Sequence, residues 1–242
     1  MNPSSEDEVV PAAPGGAEAV FGDRWQRAQR FVELLAGPGR EQGVIGPREV
    51  PRLWDRHVLN GAAVGEVLPL GASVVDVGSG AGLPGIPLAL ARPDLRITLL
   101  EPMARRVVWL ESVAAELDLS VDVVRGRAEE RETRRRLEGS DVVTARAVAP
   151  MGRLVTWTLP LVRPGGILAA MKGSSATTEV ERDAKEIRVA GGVDPRVVRC
   201  GVGDAATFVV LVSRSERGDR TARANVAPGS VGRSQGRKDR HP

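Results

Sequence analysis

"SVVDVGSGAGLPGIPLALA", residues 73–91, decides the fold. The β-rich run Val74, Val75, Asp76, Val77 breaks into Gly78, Gly80, Gly82 and Gly85, with Pro84 and Pro87 among them, and the chain then turns apolar again. A strand, a glycine turn and a helix start, in that order, form a nucleotide cradle, because glycine lets backbone N–H groups approach a ligand closely.

Outward from this turn the pattern alternates. Residues 73–78, 96–101 ("RITLLE"), 120–126 ("SVDVVRG"), 140–147 ("SDVVTARA") and 166–172 ("GILAAMK") read as strands, and "RVVRC" (196–200) and "TFVVLVS" (207–213) as two more. Between the second and third, Met103, Val107, Leu110, Ala114 and Leu117 have the spacing of a helix lying on a sheet. The repeated βα unit predicts an α/β domain over residues 73–214, a mostly parallel seven-stranded sheet with helices on both faces. Ligands of such sheets bind beyond the carboxyl ends of the strands, which is where the glycine turn falls. Residues 21–72 read as a helical extension in front of it.

At 242 residues and 42% hydrophobic content the chain can bury one good-sized core. No apolar run approaches the roughly 20 residues that cross a bilayer, and "MNPSSEDEVVPAAPGG" has neither the charged nor the apolar region of a signal peptide, so a cytoplasmic protein is expected. Cys200 is the single cysteine and His57 and His241 the two histidines, which leaves no internal disulfide, no CxxC pair and too few ligands for a zinc site. Charge is uneven: residues 1–20 carry four acids and no base, and residues 215–242 seven Lys or Arg against three acids. Both ends are expected to be disordered. The middle keeps about +3, so a nucleic-acid surface there must be a patch. The basic tail either tethers RNA by counterion release or is a solvated extension.

Two ligand classes compete for the turn. Gly80-Ala81-Gly82-Leu83-Pro84-Gly85 fits GxGxxG and hence a dinucleotide. Pro84 and Pro87, however, crowd the helix start that a pyrophosphate would face, and Asp76 suits a cationic group such as the ammonium of a methionine moiety. Glu101, closing the second strand, suits a ribose diol in either case. The balance favours S-adenosylmethionine, with the dinucleotide as the alternative.

Six separated blocks then carry a resemblance: "LWDRHVLNGA" (53–62), "VVDVGSGAGLPGIPLAL" (74–90), "LLEPMARRVVWL" (99–110), "GRAEE" (126–130), "DVVTARAVAP" (141–150) and "MKG" (171–173). In order and spacing they resemble the glucose-inhibited division protein B family, bacterial ribosomal RNA methyltransferases that modify N7 of a guanine in the 530 loop of the small subunit. The likeness runs over roughly residues 20–213. It implies a class I, Rossmann-like methyltransferase sheet, S-adenosylmethionine as donor and 16S ribosomal RNA, free or in the small ribosomal subunit, as acceptor. Carried over block by block, it implies cofactor contacts at Gly78, Gly80, Gly82 and Leu83, with Glu101 on the ribose, Ala128 and Glu129 at the adenine, and Arg146 facing both cofactor and incoming base. Two positions depart: Asn60 stands where the family usually has Asp, and Thr207 where many members have Arg.

The chemistry is consistent with what the sequence lacks. Methylation of an exocyclic amine calls for an acidic or Asn residue followed by Pro-Pro-aromatic after the fourth strand, where this chain reads "TARAVAP". Methylation of a pyrimidine C5 needs a cysteine nucleophile, and Cys200 sits in a late strand as a core residue. Guanine N7 has a free lone pair and needs no general base, only alignment and donors near O6 as charge arrives on the ring. Arg146 and Lys172, both ending strands at the ligand edge, are the candidates for that work. Arg105, Arg106 and Arg127 are candidate phosphate contacts. Arg52 and Arg56, four apart on a predicted helix whose other face carries Trp54 and Val58, are candidates for RNA too. His57 either approaches the cofactor or is a satisfied packing group. With 3% aromatic residues, recognition rests on shape and phosphates more than on base stacking. A monomer is expected. A dinucleotide oxidoreductase and a non-catalytic RNA-binding protein are the other function classes.

Overall fold

A computed structural model of the chain describes residues 10–216. Strands β1 (Ser73–Val77), β2 (Arg96–Glu101), β3 (Val121–Arg125), β4 (Ser140–Arg146), β5 (Val162–Lys172), β6 (Gly192–Cys200) and β7 (Thr207–Arg214) form one sheet in the order β3-β2-β1-β4-β5-β7-β6. The first five pair in parallel, and β7 runs antiparallel between β5 and β6. The helices are α1 (Ala17–Phe21), α2 (Trp25–Leu34), α3 (Asn60–Ala63), α4 (Gly85–Ala91), α5 (Ala104–Glu116), α6 (Arg131–Leu137), α7 (Met151–Thr158), α8 (Ala176–Arg182) and α9 (Ala184–Val189). The expected seven-stranded, mostly parallel sheet between helical layers is the fold observed.

Side-chain alternation along the strands splits the interior into two cores. Val74, Leu99, Val142, Val209 and Leu211 face one, and Val75, Val77, Leu100, Val143, Val210 and Val212 the other. Because both faces are covered, the central strands read as near-continuous apolar runs. The first core also takes Phe31, Leu35, Leu53 and Trp54 from the N-terminal segment, with Ile86 of α4 and Leu110 of α5. The second is closed by Met151, Leu154 and Val155 of α7 and Ile187 of α9. Residues 21–72 therefore have no core of their own but complete one face of the sheet.

Several expectations are corrected. Order begins before residue 21: Ala17 and Phe21 are buried, and the Trp54 indole N–H donates to the Pro11 carbonyl at 2.9 Å. The rest of the predicted acidic disorder, residues 1–9, lies outside the described residues. At the other end the Ser215 N–H donates to the Gly191 carbonyl at 2.9 Å, and the basic tail from residue 217 lies outside the described residues. β5 starts at Val162, because a register jump between the pairs Ser140–Val162 and Val142–Ile167 absorbs Pro164, Gly165 and Gly166 as a bulge. β6 likewise starts at Gly192, with a register shift between Val193 and Arg196. The inner face of α5 is Trp109, Leu110, Val113 and Ala114, continued by Leu117, whereas Met103 precedes the helix and is 40% exposed. Arg52 and Arg56 do not share one α-helix: a 3-10 stretch, Pro47–Arg52, containing Pro51, gives way to a widened π turn, Leu53–Leu59. No helix among the described residues is long and apolar enough to cross a membrane.

Candidate active site

β1 pairs with β2 on one side and β4 on the other, so the crevice beyond their carboxyl ends is the topological switch point of the sheet. The glycine turn follows β1, Glu101 ends β2 and Arg146 ends β4. Asp76, fully buried in β1, accepts the Gly85 N–H on Oδ2 at 3.1 Å, and burial pushes its carboxyl up to about 7. Glu101, 2% exposed, takes the Gly80 N–H on Oε2 and the Met103 N–H on Oε1, each at 3.0 Å. That carboxylate pins the turn to the end of β2.

The four glycines of the turn are there for different reasons. A Cβ on Gly78 would sit 2.9 Å from Val148 Cγ2, one on Gly82 2.7 Å from Ile86 Cγ1, and one on Gly85 would overlap Leu99 and lie 2.8 Å from Asp76 Oδ2. Those three are required by packing. Gly80 has φ +58°, and a Cβ there would meet nothing nearer than the Gly78 carbonyl at 3.7 Å and Arg106 Nη1 at 3.9 Å. Gly80 is the place where the turn offers its backbone to open space.

Arg146 is held from the N-terminal segment. Its Nη2 donates to His57 Nδ1 at 2.6 Å, and His57 Nε2 lies 2.7 Å from Glu49 Oε2. Burial and the neighbouring Arg146 charge push the imidazole down to about 4, so His57 is neutral. Burial also lowers the Arg146 pKa. Among the described residues, the buried side-chain polar atoms without a hydrogen-bond partner are Asp76 Oδ1, Arg106 Nε and Arg146 Nη1.

Beside the crevice opens a cavity of about 690 Å³, lined among others by Arg52, Asp55, Arg56, Arg146, Lys172 and Phe208. The structure thus gathers Arg52, Arg56, Arg146 and Lys172. Lys172 does not point a free ammonium at it: Nζ donates to the Ala149 carbonyl and to Glu179 Oε2, both at 2.9 Å, and the side chain is 10% exposed. Arg106 is half-buried, with its Nε shielded and without a hydrogen-bond partner and its Nη1 3.9 Å from where a Cβ on Gly80 would sit. Arg105 and Arg127 are exposed and outside the cavity lining, and after β3 Ala128 is buried while Glu129 is exposed. Asn60 Nδ2 donates to the Ala205 and Ala206 carbonyls, each at 3.2 Å, a pairing that a carboxylate cannot make. Thr207 lines the cavity as the first residue of β7, with no cation to offer a phosphate. Glu49 was not foreseen; it lies on a polar stretch without a motif. His57 is the satisfied packing group of the two alternatives, with a partner on each nitrogen.

A family model, GidB, rRNA small subunit methyltransferase G, matches residues 24–207. The chain belongs to this family. It is 48% identical over 231 residues to ribosomal RNA small subunit methyltransferase G of Mycolicibacterium smegmatis, covering 96% of this chain and 97% of that one. It is 58% identical over 201 residues to the protein of that name from Corynebacterium glutamicum, covering 83% and 90%. Family membership makes it an S-adenosylmethionine-dependent methyltransferase of ribosomal RNA. Among solved structures, the fold resembles a putative S-adenosyl-L-methionine-dependent methyltransferase from Methanococcus maripaludis, with TM-score 0.52, 15% identity and coverage of 78% of this chain and 93% of that one. It also resembles Aeropyrum pernix fibrillarin in complex with S-adenosyl-L-methionine, with TM-score 0.50, 19% identity and coverage of 64% and 76%. At such identities the two structures speak to the fold alone.

Proposed function

We propose that this GidB-family chain methylates N7 of a guanine in the 530 loop of 16S ribosomal RNA, with the β1 turn as cofactor cradle and the Arg146 cavity as acceptor pocket. The observation that supports the site assignment is the grouping of orphaned polar atoms: among the described residues, the three buried and unpartnered ones belong to Asp76 of β1, Arg106 beside Gly80 and Arg146 at the end of β4. Folded proteins leave few such atoms, and a ligand that satisfies them accounts for their presence.

S-adenosylmethionine fits that donor set. When bound, it supplies an electrophilic methyl group on a sulfonium centre. Asp76 Oδ1 is the acceptor for its ammonium and Arg106 the donor for its carboxylate. Glu101 gives one lone pair per oxygen to the backbone and keeps the others for ribose hydroxyls. Ala128 and Glu129, in the turn after β3, flank the adenine, and Gly78, Gly82 and Leu83 shape the walls. A dinucleotide fits less well, because the Gly85 N–H that would greet a pyrophosphate is already bonded to the Asp76 carboxylate.

On the acceptor side, Arg146 Nη1 is the free donor, directed at O6 or an adjoining phosphate and kept off N7, whose lone pair attacks. Lys172 keeps one N–H beyond its two bonds and lends the far wall positive charge. Arg52 and Arg56 at the cavity mouth, with Arg105 and Arg127 on the surface, take backbone phosphates. The protein acts as a cytoplasmic monomer in this reading. The test is incubation of labelled S-adenosylmethionine with unmethylated 16S RNA or small subunits, followed by base mapping. Label on N7 of one guanine in the 530 loop is expected; label elsewhere, or binding of cofactor without transfer, overturns it.

A further inference from the structure

Arg146 is half-buried at the end of β4, and its Nη1 is shielded without a hydrogen-bond partner. The other terminal nitrogen of the guanidinium, Nη2, is held by His57 Nδ1 at 2.6 Å, which fixes the direction in which Nη1 points.

The protons in this chain of contacts are determined by chemistry. A guanidinium has only donors, so His57 Nδ1 must present its lone pair, and the ring proton sits on Nε2. That N–H donates to Glu49 Oε2 at 2.7 Å, and Glu49 is held below the usual carboxylate range chiefly by this bond. A neutral imidazole between a carboxylate and a guanidinium passes the anion's polarisation on to the cation without supplying a charge for it to collapse onto. Arg56 Nε lies 3.9 Å from the same Glu49 oxygen. Glu49 and His57 belong to the 3-10 stretch and the π turn respectively, so the N-terminal segment is braced against the end of β4 at this point.

We infer that Glu49 and His57 are positioning residues that hold the Arg146 guanidinium toward the cavity, so that its Nη1 stays directed at the acceptor pocket. The inference rests on the role assigned to Arg146 above. It explains why a histidine with no access to substrate stands in the block 53–62 beside two cavity-mouth arginines.

Two near-isosteric substitutions separate the roles of the two ring nitrogens. His57→Asn keeps an acceptor where Nδ1 was, and His57→Gln keeps a donor where Nε2 was but offers Arg146 nothing. Single-turnover methyl transfer to unmethylated small subunits is measured at saturating cofactor and RNA, with S-adenosylmethionine affinity from calorimetry and folding checked by circular dichroism. The expected result is a rate about a hundredfold lower and a Kd about tenfold higher for His57→Gln and His57→Ala, with His57→Asn recovering to within about fivefold of wild type. Glu49→Ala, at a side chain 35% exposed, is expected to fold and to lose about tenfold in rate. Equal rates for His57→Asn and His57→Gln, or a wild-type rate for folded Glu49→Ala, overturn the inference. Arg146→Ala, run alongside, keeps the two readings apart: a wild-type rate there removes the role of Arg146 itself, whereas a large loss there with unaffected His57 variants removes only the brace.

Discussion

Replacing Asp76 by Asn asks whether the cradle stores a buried charge for its ligand. The carboxyl titrates at 3.8 in an ordinary setting and at about 7 in the fold, the rise coming from burial. The native state therefore holds a proton that the unfolded chain has released across this window, and stability contributed by protonated Asp76 is present below about pH 4 and lost as pH rises to about 7. Integrated from pH 8 to pH 5, the linkage is worth about 2.5 kcal/mol, roughly 5–10 °C in Tm for a domain of this size. Asn cannot titrate. In thermal unfolding of the ligand-free protein at pH 5, 6, 7 and 8, wild type should thus lose ground to Asp76→Asn by that amount on going from pH 5 to pH 8. Parallel pH profiles for the two proteins would refute the buried-carboxylate argument.

The same group predicts a calorimetric signature. If the ammonium of the cofactor pairs with Asp76 Oδ1, binding ionises the carboxyl. At pH 6.5 a group with pKa about 7 is mostly protonated, so about 0.8 proton should leave per cofactor bound, falling to about 0.1 at pH 8. Titrations in buffers of different ionisation enthalpy read this directly, and Asp76→Asn should show neither the release nor wild-type affinity.

Gly80→Val should leave the fold nearly intact, at a cost of about 1–2 kcal/mol for its φ of +58°, while abolishing measurable cofactor binding by calorimetry. Gly82→Val should lower Tm, because its Cβ would lie 2.7 Å from Ile86 Cγ1. Arg146→Ala should lose about a hundredfold in single-turnover rate with saturating RNA and cofactor, and Lys should rescue poorly, since it cannot hold His57 and a substrate oxygen with one planar fork. Deleting residues 217–242 should spare cofactor binding and reduce the slope of log RNA affinity against log salt by about 0.7–0.9 for each phosphate that the tail neutralises, as measured by filter binding.

The parts of this molecule that were legible in its sequence are those set by local pattern. Apolar and β-branched runs marked the strands, the glycine turn fell just beyond β1, and Glu101 and Arg146 closed β2 and β4. Where local pattern was interrupted, the reading stopped short: Pro164 and Gly165 look like a loop, and only pairing with β4 makes them part of a bulge inside β5. Lys172 was legible as a cation at the right edge, but its capture by Glu179 depends on how α8 packs back over the strand.

Glu49 marks the limit most clearly, because it sits 97 positions before Arg146 in a proline-flanked stretch where an exposed acid is the ordinary expectation. Its meaning arises only when the π turn carries His57 inward between Leu53 and Val58 and the β4 end presents a guanidinium to the ring. A local signal did exist on the other partner. A histidine flanked by buried apolar residues must find partners for both nitrogens, and an arginine closing a central strand cannot satisfy five donors from the backbone alone. Two buried groups with complementary needs, one short of a donor and the other short of an acceptor, favour each other before any distance is known. What the sequence lacks is the third member, since a neutral imidazole that accepts at Nδ1 has to donate at Nε2, and many acids or carbonyls along the chain can receive that bond. The fold selects Glu49 by geometry, and through its bond to His57 and that of His57 to Arg146 it ties the N-terminal segment to the end of β4 as well as laying it over one face of the sheet.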